Sequence, residues 1–198
     1  MKSCLFSLLL ISLLSGCADE IKSPLPEAQL PDSVNKAKQF FPILDYLKGE
    51  LNNVDSFATA IRSYSTIDGK TDSGIIKVEQ FKGIMQEFLA PELSKENFEK
   101  YYSESSFFDQ TTQTSTFTYA TKNDDLEFHR IDVLVQGSDS YDKVSSIYME
   151  KFTGGDDSSV VKKMLLVGGK SMMINSETTL GANKPVIRQD KFVWNDWE

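Results

Sequence analysis

Histidine and cysteine are almost missing from this chain: one His and two Cys occur among 198 residues. A zinc or copper site built from imidazole and thiolate cannot be assembled from His129 and so few sulfurs in one protomer. Long apolar runs are missing too. Leu5 to Leu14 is the longest, broken only by Ser7 and Ser12, and as a helix it would rise about 15 Å, roughly half a bilayer core. Positive charge is scarce, with a net of −8, so the chain repels nucleic acid and anionic headgroups, and a nucleic-acid partner is excluded. There is no Gly-x-Ser-x-Gly elbow, and no glycine-rich loop opens a helix. Gly154-Gly155 and Gly168-Gly169 fall between predicted strands and serve turns.

The N-terminus carries the strongest signal. Lys2 followed by the apolar segment has the form of a secretory signal, residues 1–16. Leu14-Ser15-Gly16-Cys17 then resembles the lipobox of bacterial lipoproteins. That resemblance implies cleavage before Cys17 and a diacylglycerol thioether on its sulfur, the strong side-chain nucleophile such chemistry needs. Each buried methylene contributes about 0.8 kcal/mol, so two or three acyl chains hold a protein to a membrane it does not span. Cys4 leaves with the signal and Cys17 carries lipid, so no disulfide forms within the mature chain and packing alone must hold the fold. Only Lys2 departs among the charged residues, leaving the mature protein one unit more acidic. Residues 17–33 contain Pro24, Pro26 and Pro31 and read as an extended tether. Ala18 after the cysteine, with Asp19 and Glu20 behind it, favours the outer membrane.

About 180 residues remain, enough for one domain with its own core; it is expected over residues 34–198. In "FFPILDYLKGELNNV", Phe40, Leu44, Leu47, Leu51 and Val54 recur at helical spacing. A strand-like stretch, "FATAIRSYSTI", leads to Asp68-Gly69, a hairpin signal. "VEQFKGIMQEFL" aligns Phe81, Ile84, Met85, Phe88 and Leu89 on one helical face, ended by Ala90-Pro91. Another helix is expected behind Ser94 as N-cap. From Thr114 onward six strand-like runs alternate with turn clusters, the pattern of an antiparallel meander. The expected class is α+β, with N-terminal amphipathic helices packed on a curved antiparallel β-meander. Ile147 and Met149 oppose Val144, Tyr148 and Phe152, while Met164 and Leu166 oppose Leu165 and Val167. Such strands are buried on both sides, by helices on one face and a loop or partner on the other, or one side is an apolar cavity.

Three features invite chemistry. Asp68, Asp72, Ile75 and Glu79 fall at the first, fifth, eighth and twelfth positions of a calcium loop. Lys70 occupies a ligand position there, however, and Ser73 stands where the loop needs glycine, so the segment is expected to be a hairpin running through Ile76 into the next helix. His129 lies near Asp132, but the apolar register changes from Leu126 and Phe128 to Ile131, Val133 and Val135. A bulge around His129-Arg130 explains that change and makes His129 a strand residue. The acidic pairs Asp124-Asp125 and Asp156-Asp157 sit at expected hairpin tips. No catalytic, cofactor-binding or metal residue is assigned. Cys17, for lipid attachment, is the one site.

"FPILDYLKGEL", "SSFFDQTTQTSTFTY" and "SIYMEKF" together resemble a family of small Bacteroidota lipoproteins of unknown function, across most of the mature chain. Helices against a curved antiparallel sheet is also similar, at the level of fold, to periplasmic lipoprotein carriers and receptors. The expected role is a structural or protein-interaction module with an envelope protein partner. The alternative is a carrier of an apolar ligand, such as an acyl chain, held between helices and sheet.

Overall fold

The computed structural model describes residues 40–136, 143–155 and 157–195. All lie within the compact unit Gln39–Glu198. The signal segment, Cys17, the tether, the turn at Gly137-Ser138-Asp139, and Asp156 and Trp197 fall outside the described residues.

Helix α1 spans Ile43–Phe57, with Pro42 at its N-cap. Its spacing buries Ile43, Leu47 and Val54, flanked by half-buried Leu44 and Leu51. Strands β1 (Ile61–Ile67) and β2 (Lys70–Ile76) form the hairpin expected at Asp68-Gly69. Both turn residues have positive φ, 51° and 76°, the geometry a two-residue loop needs to match strand twist. Helix α2 follows directly over Val78–Gln86, burying Phe81 and Met85. It begins where the Gln80 side-chain oxygen accepts the Lys77 N–H at 3.0 Å. It stops short of Phe88 and Leu89, because Pro91 holds Ala90 in an extended conformation. A 3₁₀ turn at Pro91–Leu93 precedes α3, Lys95–Tyr101. Ser94 is the N-cap by position, but its hydroxyl makes no capping bond.

Seven strands complete the chain. They are β3 (Ser103–Asp109), β4 (Thr114–Ala120), β5 (Phe128–Gln136), β6 (Val144–Gly155), β7 (Ser158–Val167), β8 (Ser171–Leu180) and β9 (Val186–Val193). The last six coincide with the strands expected from sequence; β3 was not expected. All nine strands join one antiparallel sheet in the order β2-β1-β9-β8-β7-β6-β5-β4-β3. The chain is therefore α+β, and its N-terminal hairpin pairs beside the C-terminal strand instead of standing apart from the meander.

Register decides what is buried. Tyr119, Ile131, Met149, Met164 and Ile174 stand opposite one another across successive ladders, as do Val133, Ile147, Leu166, Met172 and Phe192. All ten are buried, and they share one core with Leu47, Phe81, Met85, Phe88 and Phe98. A register shift between Phe128 and Arg130 leaves His129 unpaired in β5, the bulge expected there. It lets Phe128 and Ile131, an odd number of residues apart, both be buried. On the alternate positions Tyr148, Leu165, Val167 and Met173 are half-buried. Among the described residues, neighbours on the same face of the pleat are what shield them.

Aromatic rings carry much of the contact between helices and strands. The Phe81 ring lies 5.8 Å from Phe192 and 5.3 Å from Trp194. The Phe88 ring lies 6.3 Å from Phe128. Tyr119 on β4 meets Phe98 at 4.9 Å and Phe40 at 5.7 Å, and its hydroxyl accepts the Phe41 N–H at 3.2 Å. Each ring fully removed from water contributes about 1.5–3 kcal/mol.

Two glycines give opposite expectations for alanine. Gly154 has φ +142°, and a Cβ there would lie 2.3 Å from the Ser158 carbonyl oxygen. Gly154→Ala should cost about 2 kcal/mol or more. Gly49, inside α1, has nothing within 4 Å of its Cβ position, so Gly49→Ala should add about 0.5–1 kcal/mol. Urea midpoints that move in opposite directions check both.

Candidate functional site

On the side of the sheet away from the core, one residue per strand, half-buried from β4 to β8 and exposed on β9 and β1, forms an ordered surface. Thr118, Asp132, Tyr148, Leu165, Met173, Lys191 and Tyr64 follow one another across seven adjacent strands. Polar groups gather at the β4–β6 end. Arg130 Nε donates to both oxygens of Asp132 at 3.1 and 3.0 Å, and its Nη2 lies 2.9 Å from Oδ2. Thr118 Oγ1 donates to Asp132 Oδ1 at 2.7 Å. Beside them Tyr148 Oη donates to Glu150 Oε1 at 2.6 Å. Burial, then the bond to Glu150, pushes the Tyr148 phenol above its ordinary range. The hydrogen bond and charge of Asp132 raise the Arg130 guanidinium.

These are residues i and i+2 on one strand, so the pleat sets both pairs side by side on one face. Each long side chain thus has a partner within its own strand. The centre, Tyr148, Leu165 and Met173, is apolar and half-exposed, while Lys191 and Tyr64 close the far end exposed. An apolar middle with an arginine and tyrosines around it has the composition of a protein-docking surface.

A second feature is a groove of about 470 Å³ at the end of α1, lined by Asn53, Phe57, Thr59, Trp194 and Asn195. Its wall at Gly169 is fixed by Glu50, whose Oε2 accepts the Gly169 N–H at 2.7 Å. Phe57 stands 80% exposed at its rim, whereas Trp194 is buried beneath.

Of the residues picked from sequence for their chemistry, Asp132 lies on the first feature and the others do not. Asp68 forms the hairpin turn, and Asp72, opposite Ser65 on β2, accepts the Ser73 N–H at 2.9 Å. Glu79 lies in the first turn of α2. His129 stacks on Phe152 with ring centroids 5.9 Å apart, and its Nε2 has no hydrogen-bond partner. Asp132 is engaged by Arg130 and Thr118, so it does not orient His129. Asp125 donates its N–H to the Asn123 side chain, as a turn residue does. Among the described residues no three His, Cys, Asp or Glu side chains gather as a metal site. From sequence, Arg130 enters only through the bulge and Tyr148 only through strand burial, and Glu150 is not named. Their signal was the pairing of polar i and i+2 residues within otherwise apolar strands.

Tyr46, next to Glu50 in α1, gives a pH expectation. Burial, then the charge of Glu50, pushes its phenol from 10.0 up to about 12. The folded protein holds this proton more tightly than the unfolded chain, so its contribution is full below pH 10. That contribution is lost as pH rises from 10 through 12. In Tyr46→Phe the melting temperature should fall less over that window than in the parent, measured by circular dichroism. Compared with known proteins, the chain matches no family model, no curated protein and no solved structure.

Proposed function

We propose that this chain is an envelope lipoprotein anchored through Cys17, its outer-membrane placement favoured by Ala18 after the cysteine. Its helices lie on one face of a curved antiparallel sheet, and the opposite face docks a protein partner. The observation that carries this role is the half-exposed ladder Tyr148–Leu165–Met173 beside the locked pairs Arg130–Asp132 and Tyr148–Glu150. A surface whose charged side chains are already ordered has less entropy to lose on docking. The space between helices and strands is occupied by the protein's own rings, Phe81 against Phe192 and Phe98 against Tyr119, which supports a docking module over a carrier.

The groove beside Phe57 and Trp194 favours one second role, a carrier of an apolar ligand. Its volume lies in the range of about 300–1,000 Å³ that small-molecule sites occupy. Native mass spectrometry of the purified protein separates the two: a co-purifying lipid mass supports the carrier, a clean protein mass the docking module.

Two variants test the proposal further. Cys17→Ala should move the protein out of the membrane fraction; continued membrane retention contradicts the anchor. Leu165→Lys together with Met173→Lys should lower in-cell cross-linking to an envelope protein at least tenfold while leaving the fold's circular dichroism unchanged. Undiminished cross-linking removes the docking face.

A further inference from the structure

An open sheet of nine strands has two edges, β2 and β3, and the two are not alike. Edge strands present unpaired backbone groups, which proteins blunt with lysine, proline, bulges or short length. The β2 edge carries Lys70, Asp72 and Gly74 within its seven residues, all unfavourable to further pairing. Along β3, Ser105 to Phe108 has no charge, proline or glycine. Its ladder with β4 runs from Ser103 to Asp109 without a bulge. Phe107 is 69% exposed and Phe108 37%. Phe107 stands opposite Thr116 on the side of the sheet away from the core, while Phe108 stands opposite buried Ser115.

We infer that β3 pairs antiparallel with β3 of a second copy, joining two sheets edge to edge about a two-fold axis through Phe107. An axis perpendicular to the sheet keeps the same face uppermost in both copies, so residues that meet must share a face. Centred on Phe107, the pairing sets that ring against its own counterpart. Ser105 meets Asp109 of the second copy, Ser106 meets Phe108, and Glu104 meets Gln110. No like charges stand opposite, and the aromatic pair adds cross-strand contact. The contact is isologous, so it closes at two copies and leaves the β2 edges outermost. It uses an edge and not the docking face, so it stands or falls apart from that role.

Cysteine cross-linking of the full chain in its own membrane tests the pairing. With Cys4 removed and Cys17 lipidated, an introduced cysteine is the free thiol. Paired residues across an antiparallel ladder lie about 4.5–5.5 Å apart, within disulfide reach. Under copper-phenanthroline oxidation, Phe107→Cys should convert most of the protein to a band of twice the chain mass. Ile75→Cys, equally exposed on the β2 edge, should stay monomeric. Native mass spectrometry of the detergent-extracted parent should show two copies, and Phe107→Lys one copy, with unchanged circular dichroism. A Phe107→Cys band no stronger than that of Ile75→Cys, or a parent that is one copy at about 100 µM, overturns the pairing.

Discussion

The structure depends on one long-range contact, the antiparallel pairing of β1 with β9 from Arg62↔Val193 to Ile67↔Arg188. The β1–β2 hairpin has few buried residues of its own and, alone, would be marginal in water. Docked on β9 it becomes the end of a continuous sheet, and β9 stops being an edge. The same contact places α2, which leaves β2 after one residue, where Phe81 meets Phe192 and Trp194. Residues from both ends of the described chain thereby share one core.

One-sidedness follows from the ladders and shapes any function. Once Ile131, Met149, Met164 and Ile174 align on the core side, period-two alternation sends Asp132, Tyr148, Leu165 and Met173 to the other. A bulge at His129 keeps Phe128 in the core despite the change of phase. What the alternation leaves outside is wide, partly apolar and edged by the Arg130–Asp132 ion pair, too exposed to matter much for stability.

Much of this was readable in the sequence, and the exceptions have physical causes. Helical spacing located α1 and α2, the Asp68-Gly69 turn located the first hairpin, and alternating runs located six strands. Strand β3 escaped because Ser-Glu-Ser-Ser-Phe-Phe-Asp is an edge strand exposed on both faces, which needs no alternation. The pairing of β1 with β9 escaped because nothing local records which strand an edge will meet; only the apolar phase of Ile61 and Phe192 is written in the chain. The apolar alternate positions of β6 and β7 suggested a second cover, and among the described residues they are half-buried by their neighbours on the same face. At the candidate surface, Asp132 drew attention for its nearness to His129, whereas its partner is Arg130, two residues along the same strand.

Pairing between β1 and β9, so far apart in sequence, is slow to form, since its loop-closure entropy is lost before the contact is gained. It should also be inseparable from the global fold. Hydrogen exchange followed by mass spectrometry measures this directly. Amides of β1 and β9 are expected to share the protection of β6 and β7 and to lose it in the same cooperative opening. A β1–β2 hairpin that exchanges freely while β5 to β8 stay protected would contradict the account.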